Sequence, residues 1–541
     1  MKAVYLLPFM PAAALVAALM SVVPAGESRW KYVPSIWSFL SASTLLVLAY
    51  RGWERHVGPG PFRWGWWTLT AVNLVFLVLL AVAGPLSLLL LAGREGAEGR
   101  KRRVLSALGH LSLAGAMTAA LSGHLILLSA GCALATWCAA ATALLVERAG
   151  RERSRSWAAL FPFLASDLCL ALSVLLMALK GLSRGLLLSS FPAAEVDCLP
   201  AFVLMLAAAL LRLGVFPLNA CAAFLSGRGR AYRLPYLQVV NPVLGGYLLF
   251  LAVRVVFSPG REWQWVMLGV GSAVLASSAL SLLRSANRGG VRGWVAACLG
   301  GAFALSLSGG GQGGAAAARL VLLSGIPALL LLEASEGGGW RRWAGVAGGA
   351  ALLGIPPLAG FGSLWMAGSS LVEGHAGGSG AVFFLGWPVV VLAFLVGGTV
   401  TLLAPGGEAD GAPAWVAAAV SLPLLAVLVL VGVYPGRVVD LFMREYGLPM
   451  EVPFSSWGSL AWASILVLAG LGLLWGTRVR GTTGMPDGER GSKALTATPV
   501  GFMPYPYPFR CRGRVWVLAA VTAEVAMFLG WWGAMTLVLL R

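Results

Sequence analysis

Gly354-Ile-Pro-Pro-Leu-Ala-Gly360 and Gly214-Val-Phe-Pro-Leu-Asn-Ala220 decide how this chain folds. Both stretches lie inside long apolar runs, and both carry Gly-x-x-Pro-Leu in one register. Proline inside a helix deletes a backbone hydrogen bond and frees a carbonyl. Lipid cannot satisfy that carbonyl, so such backbone survives only against protein or a water-filled cavity. Interrupted helices at matching places in two halves point to an inverted-repeat transporter architecture with a site near the midplane. A kink that serves only to pack helices is the other reading of either proline alone, and the shared register weighs against it.

The surrounding composition sets the class. Of 541 residues, 59% are hydrophobic and 11% charged, against about 25% charged in an average soluble domain. A soluble multidomain enzyme, a disordered chain and a fibrous one are thereby excluded. The apolar residues form runs of about 18 to 28, long enough to cross about 30 Å of hydrocarbon as helix. The fold class is an all-α polytopic membrane protein of about 16 spans: 3–25, 33–50, 67–92, 103–121, 123–146, 157–183, 199–226, 234–258, 264–284, 292–309, 315–334, 343–372, 380–404, 412–435, 458–478 and 514–539. Gly214 and Pro217 break the seventh span, and Gly354, Pro356 and Pro357 break the twelfth. The first apolar run is read as a span rather than a cleaved leader.

A net charge of +18 would suggest nucleic acid in a soluble protein. Here the cations sort by loop instead. Alternate loops collect about 26 Lys and Arg, including Lys31, Arg100–Arg103, Arg148–Arg155, Arg341, Arg342 and those from Arg478 to Arg514, against about 9 on the other side. The first side is cytoplasmic by this bias, so both termini face outward, the chain contacts lipid and no nucleic-acid partner is expected. Four segments follow: 1–102 with three spans, a first repeat 103–258, a second inverted repeat 264–404, and C-terminal spans 412–541. The last segment holds a Pro-rich cytoplasmic arm, 479–513. The seven cysteines, Cys132, Cys138, Cys169, Cys198, Cys221, Cys298 and Cys511, form no CxxC pair. No metal site, cofactor or catalytic residue is expected, nor any nucleotide loop.

At the two broken helices the chain resembles the antiporter-like membrane subunits of respiratory complex I, a family shared with Mrp-type cation/proton antiporters and membrane-bound hydrogenases. Gly354-Ile-Pro-Pro-Leu-Ala-Gly-Phe361 is similar to that family's second broken helix, and Arg212-Leu-Gly-Val-Phe-Pro-Leu-Asn219 to its first. The resemblance implies two inverted five-helix repeats and translocation of protons or sodium ions along a midplane row of Glu, Lys and His. Most of that row is replaced. Cys132 stands at the position of the fifth-span glutamate, and Arg212 and Asn219 at those of the seventh-span lysine and its histidine. Val243 and Leu364 stand where two further lysines are expected, and Asp167 alone matches an acid.

Asp167 and Arg212 lie at mid-depth of adjacent antiparallel spans, where an uncompensated charge costs about 3 kcal/mol or more. They are expected to pair, with Asn219 and the opened backbone at Pro217 as further partners, either as the remainder of an ion path or as a structural lock. Glu524, midway along the last span, fits a contact with a neighbouring subunit or a proton site. His110 and His124, in the fourth span and at the start of the fifth, titrate near neutrality or serve only as hydrogen-bonding groups. Glu333, Glu373, His375 and Arg319 are expected at helix ends. The leading function is a divergent membrane-arm subunit of an ion-translocating, NADH:quinone oxidoreductase-like or hydrogenase-like complex in the cytoplasmic membrane of a prokaryote. Redox chemistry would then belong to its partner subunits. A free-standing or two-component transporter of cations or inorganic carbon, and a non-transporting scaffold, are the alternatives.

Overall fold

The computed structural model describes residues 5–23, 30–56, 62–93, 99–146, 151–179, 198–214, 235–257, 261–284, 288–309, 311–335, 341–354, 358–374, 412–434 and 438. They belong to one compact unit, Met1–Met450. The expected spans at 380–404, 458–478 and 514–539, and with them Glu524, lie outside the described residues, as do Pro217, Asn219, Pro356 and Pro357.

The described chain is mostly helical. Its helices are α1 Phe9–Val22, α2 Val33–His56, α3 Ala71–Gly93, α4 Gly99–Leu121, α5 Leu125–Val146, α6 Arg151–Leu179 and α7 Leu199–Leu213. There follow α8 Leu237–Phe250, which runs on as a wider turn through Val256, then α9 Arg261–Arg284, α10 Arg288–Ser308, α11 Gly311–Ala334, α12 Arg341–Leu352, α13 Ala359–Gly374 and α14 Ala414–Val433. Among the described residues, eight helices or helical stretches are long and apolar enough to cross a membrane, from Trp30–Trp53 to Ala414–Val433. The protein is a multi-pass membrane protein. Helix α11 is its centre, buried all round and packed by α3, α8, α10, α12, α13 and α14, as suits a helix with Leu, Ala and Val on every side. By contrast α2, α6 and α14 keep broad exposed faces.

A two-stranded hairpin departs from the helical expectation. Phe62–Trp64 pairs antiparallel with Trp67–Leu69, and Gly65 takes the positive φ of 58° that so tight a turn demands. The third span therefore begins at Ala71, not at 67. Thr70 and Asn73 cap it reciprocally: the Asn73 amide donates to Thr70 Oγ1 (3.2 Å) and the Thr70 amide to Asn73 Oδ1 (2.8 Å). Asn73 Nδ2 also donates to the carbonyls of Thr68 and Ala120, and the Gly123 amide donates to the Trp66 carbonyl. The hairpin is thus tied to the turn between α4 and α5.

At both expected breaks a helix comes to an end. Helix α7 stops at Leu213 because Gly214 turns left-handed (φ 65°), and α12 stops two residues before Gly354, also left-handed (φ 74°). Each glycine amide donates to the carbonyl three residues back, Leu211 in one case and Ala351 in the other. The two helices run in opposite directions. Phe202, near the start of α7, meets Phe257 and Trp263 edge to face beyond the end of α8. Gln238, at the start of α8, bonds Glu333 at the end of α11, and Gly345 of α12 abuts Ser335 there. So α7 begins where α8 finishes, whereas α12 begins where α8 starts.

Arg319 corrects an expectation. It lies well inside α11, 1% exposed, with its guanidinium 4.4 Å from the centre of the Phe250 ring. Attraction to the aromatic face holds within the bundle a charge that the sequence assigned to a helix end. Glu333 does sit at a helix end, but it is buried and accepts from Gln238 Nε2 at 2.9 Å.

Candidate functional site

The polar centre of the first half is built where α7 stops. Arg212 occupies the last turn of α7, two residues before the left-handed Gly214, and is 1% exposed. Gly245 of α8 makes the approach feasible, since a side chain there would meet the backbone of Arg212 and Leu213. Across from it, α6 presents Asp167 and α5 presents Thr136. A single nitrogen, Arg212 Nη2, lies 2.5 Å from Asp167 Oδ1, 2.5 Å from Thr136 Oγ1 and 3.3 Å from the Cys132 carbonyl. Thr136 Oγ1 in turn donates to that same carbonyl at 3.1 Å. The Asp167 side chain is 14% exposed, the Arg212 side chain not at all. Arg212 Nε and Nη1 and Asp167 Oδ2 are buried without a hydrogen-bond partner among the described residues.

This arrangement seats a guanidinium against a carboxylate and a hydroxyl. Guanidinium keeps its proton at any accessible pH, whereas a buried lysine amine can be driven neutral and pass a proton on. Arg212 therefore holds a permanent cation, and Asp167 neutralises it at contact distance. Thr136 was not anticipated, although its position one helical turn from Cys132, on the face where an acid was expected, carries the signal.

The remaining candidates do not gather around this pair. Val243, at one expected lysine position, is buried and apolar. Leu364, at the other, packs against Gly354, while the Ser324 and Ser363 hydroxyls, 3.1 Å apart, join α11 to α13 near the second break. His124 caps α5, its Nδ1 accepting from the Ile126 amide at 3.2 Å, and its ring lies 5.6 Å from that of Trp66. His110, buried on α4, faces Ser35 of α2 with its Nε2 3.3 Å from the hydroxyl. Among the described residues no three His, Cys, Asp or Glu side chains converge as a metal site would need.

No protein-family model and no curated protein matches the sequence. Solved structures do. A chain of the Mrp complex from Dietzia sp. DQ12-45-1b superposes with a TM-score of 0.69 at 16% identity, over 84% of this chain and 98% of that one. A chain of the membrane-bound sulfane sulfur reductase, an archaeal respiratory membrane complex, gives 0.69 at 17%, over 98% and 94%. A chain of respiratory complex I from Thermus thermophilus gives 0.67 at 17%, over 82% and 98%. At such identities the likeness speaks for the fold, and the chain has the fold of the antiporter-like subunits of these membrane complexes.

Proposed function

We propose that this chain is a divergent antiporter-like membrane-arm subunit of an oxidoreductase-type complex, inserted in the cytoplasmic membrane of a prokaryote and flanked by other membrane subunits. About 16 spans, with both termini outside, would contain two inverted repeats, 103–258 and 264–404. The opposite courses of α7 and α12, their matching glycine ends and the like packing order of α4–α7 and α9–α12 support that reading. Segments 1–102 and 412–541, the latter with the arm 479–513, would flank the repeats and meet partner subunits.

One observation carries the functional part: the cation at the first break is a guanidinium clamped by Asp167 and Thr136. Proton or sodium movement through the complex, if this chain takes part, does not pass by deprotonation of Arg212. The pair acts as a lock and a fixed counter-charge. In proteoliposomes holding the purified complex, Arg212→Lys and Asp167→Asn should lower stability while leaving any proton flux per folded molecule largely intact. Abolished flux in well-folded variants would restore the pair to the ion path. Purification from its own host in mild detergent should bring redox-active partner subunits with the chain. A monomer that carries out flux by itself would favour the free-standing transporter, and one without flux or partners would contradict the proposal outright.

A further inference from the structure

A second polar cluster lies in the N-terminal helices, away from both breaks. Arg102, Ser106 and His110 stand four residues apart on α4 and so share one stripe, about 12 Å long, that leads inward from the start of that helix. Ser21, buried near the end of α1, lies 3.1 Å from Ser106. Ser35, in the first turn of α2, faces His110 Nε2 at 3.3 Å. One turn further along α2 is Ser38. His110 and Ser38 are fully buried, yet His110 Nδ1 and Ser38 Oγ have no hydrogen-bond partner among the described residues. Buried polar atoms are nearly always satisfied, by protein or by ordered water. A water needs two to four polar partners, and this corner of the bundle offers Nδ1 and the hydroxyls of Ser35 and Ser38, with the Ser21–Ser106 pair one turn towards Arg102.

We propose that α1, α2 and α4 enclose a hydrated pocket through which His110 exchanges protons with the solution at the Arg102 end of α4. The site is independent of the Asp167–Arg212 lock and of the reading drawn from it. Ring nitrogens can take a proton on one side and release it on the other, so a hydrated His110 supplies an exchangeable proton where the midplane lysines are missing. The titratable groups on the packed elements are few. Lys101, Arg102 and Arg103 sit at the start of α4, Lys31 and Tyr32 precede α2, and Arg51, Glu54 and His56 end it. Tyr236 lies against Gly109, and α5 adds the Cys132 and Cys138 thiols. Neither α1 nor α3 contributes any; in the sequence Glu27 lies between α1 and α2, and Glu95 and Glu98 between α3 and α4.

Deuterium exchange at the imidazole C2 position, followed by mass spectrometry on the intact chain, reads this directly, because the reaction requires both water and a protonated ring. His110 should exchange on the timescale of His124, with a sigmoidal dependence on pH, while the backbone amides of α4 around it stay protected. Ser38→Ala and Ser106→Val should slow exchange at His110 several-fold and leave His124 unchanged. A silent His110 beside an exchanging His124 would show a dry core and overturn the proposal. So would exchange that the serine variants do not alter, or that keeps pace with the α4 amides, since access would then come from opening of the bundle.

Discussion

Arg212 is a residue whose worth depends on what stands opposite it. Breaking a buried pair by removing one member costs about 3–5 kcal/mol, because the other charge is stranded, whereas replacing both by apolar groups is often close to neutral. Asp167→Leu and Arg212→Leu should therefore each lower the unfolding midpoint in detergent strongly, and the double variant should recover much of the loss; simple addition of the two effects would show that the groups are not coupled. Thr136→Val should cost about 1.5–3 kcal/mol, since it removes one acceptor of a buried charged donor without creating a void. Asp167 and Arg212 were legible as a pair, because two opposite charges at mid-depth of neighbouring helices have few other remedies. Thr136 was not, because a helical threonine ordinarily spends its hydroxyl on its own backbone. Here it donates to the Cys132 carbonyl and accepts from Arg212 as well.

Elements are shaped by where glycine permits contact. A left-handed residue with a side chain costs about 1–2 kcal/mol, so Gly214→Ala and Gly354→Ala should each destabilise by that order in thermal unfolding. Gly354→Ala should lose more, since its added methyl also meets Leu364. At Gly245 the space is taken by backbone of α7, and Gly245→Leu should disrupt folding outright, seen as loss of monodisperse protein on size exclusion. The helix stops at Gly214 and Gly354 were legible because glycine and proline announce themselves in an apolar run. The hairpin was not: Phe62–Trp64 and Trp67–Leu69 are three residues each, too short for alternation to register, and their tryptophans merge with the apolar start of α3. Arg319 was misplaced for a related reason, since its aromatic partner Phe250 is distant in sequence.

For the whole molecule, the contacts near helix ends agree with alternate threading. The hairpin meets the α4–α5 turn, Tyr32 stacks on Trp415 at the start of α14, and Gln238 meets Glu333. Of the loops involved, those before α2, α8 and α12 carry cations that the sequence assigned to one side, Lys31, Arg233 and Arg341 among them. In a cysteine-free background, Trp66→Cys should react with an impermeant maleimide from outside intact cells, and Trp343→Cys only after the membrane is opened; reversed labelling would refute the assigned orientation. The two helix ends, at Leu213 and Leu352, carry an electrical consequence. A helix end that stops inside the bilayer presents roughly half a negative charge from its unpaired carbonyls. At α7 Arg212 stands in the last turn and offsets it, whereas the last turn of α12 holds no basic residue. Asp167 already balances the Arg212 charge, so Asp167→Asn would leave the α7 end the more positive of the two.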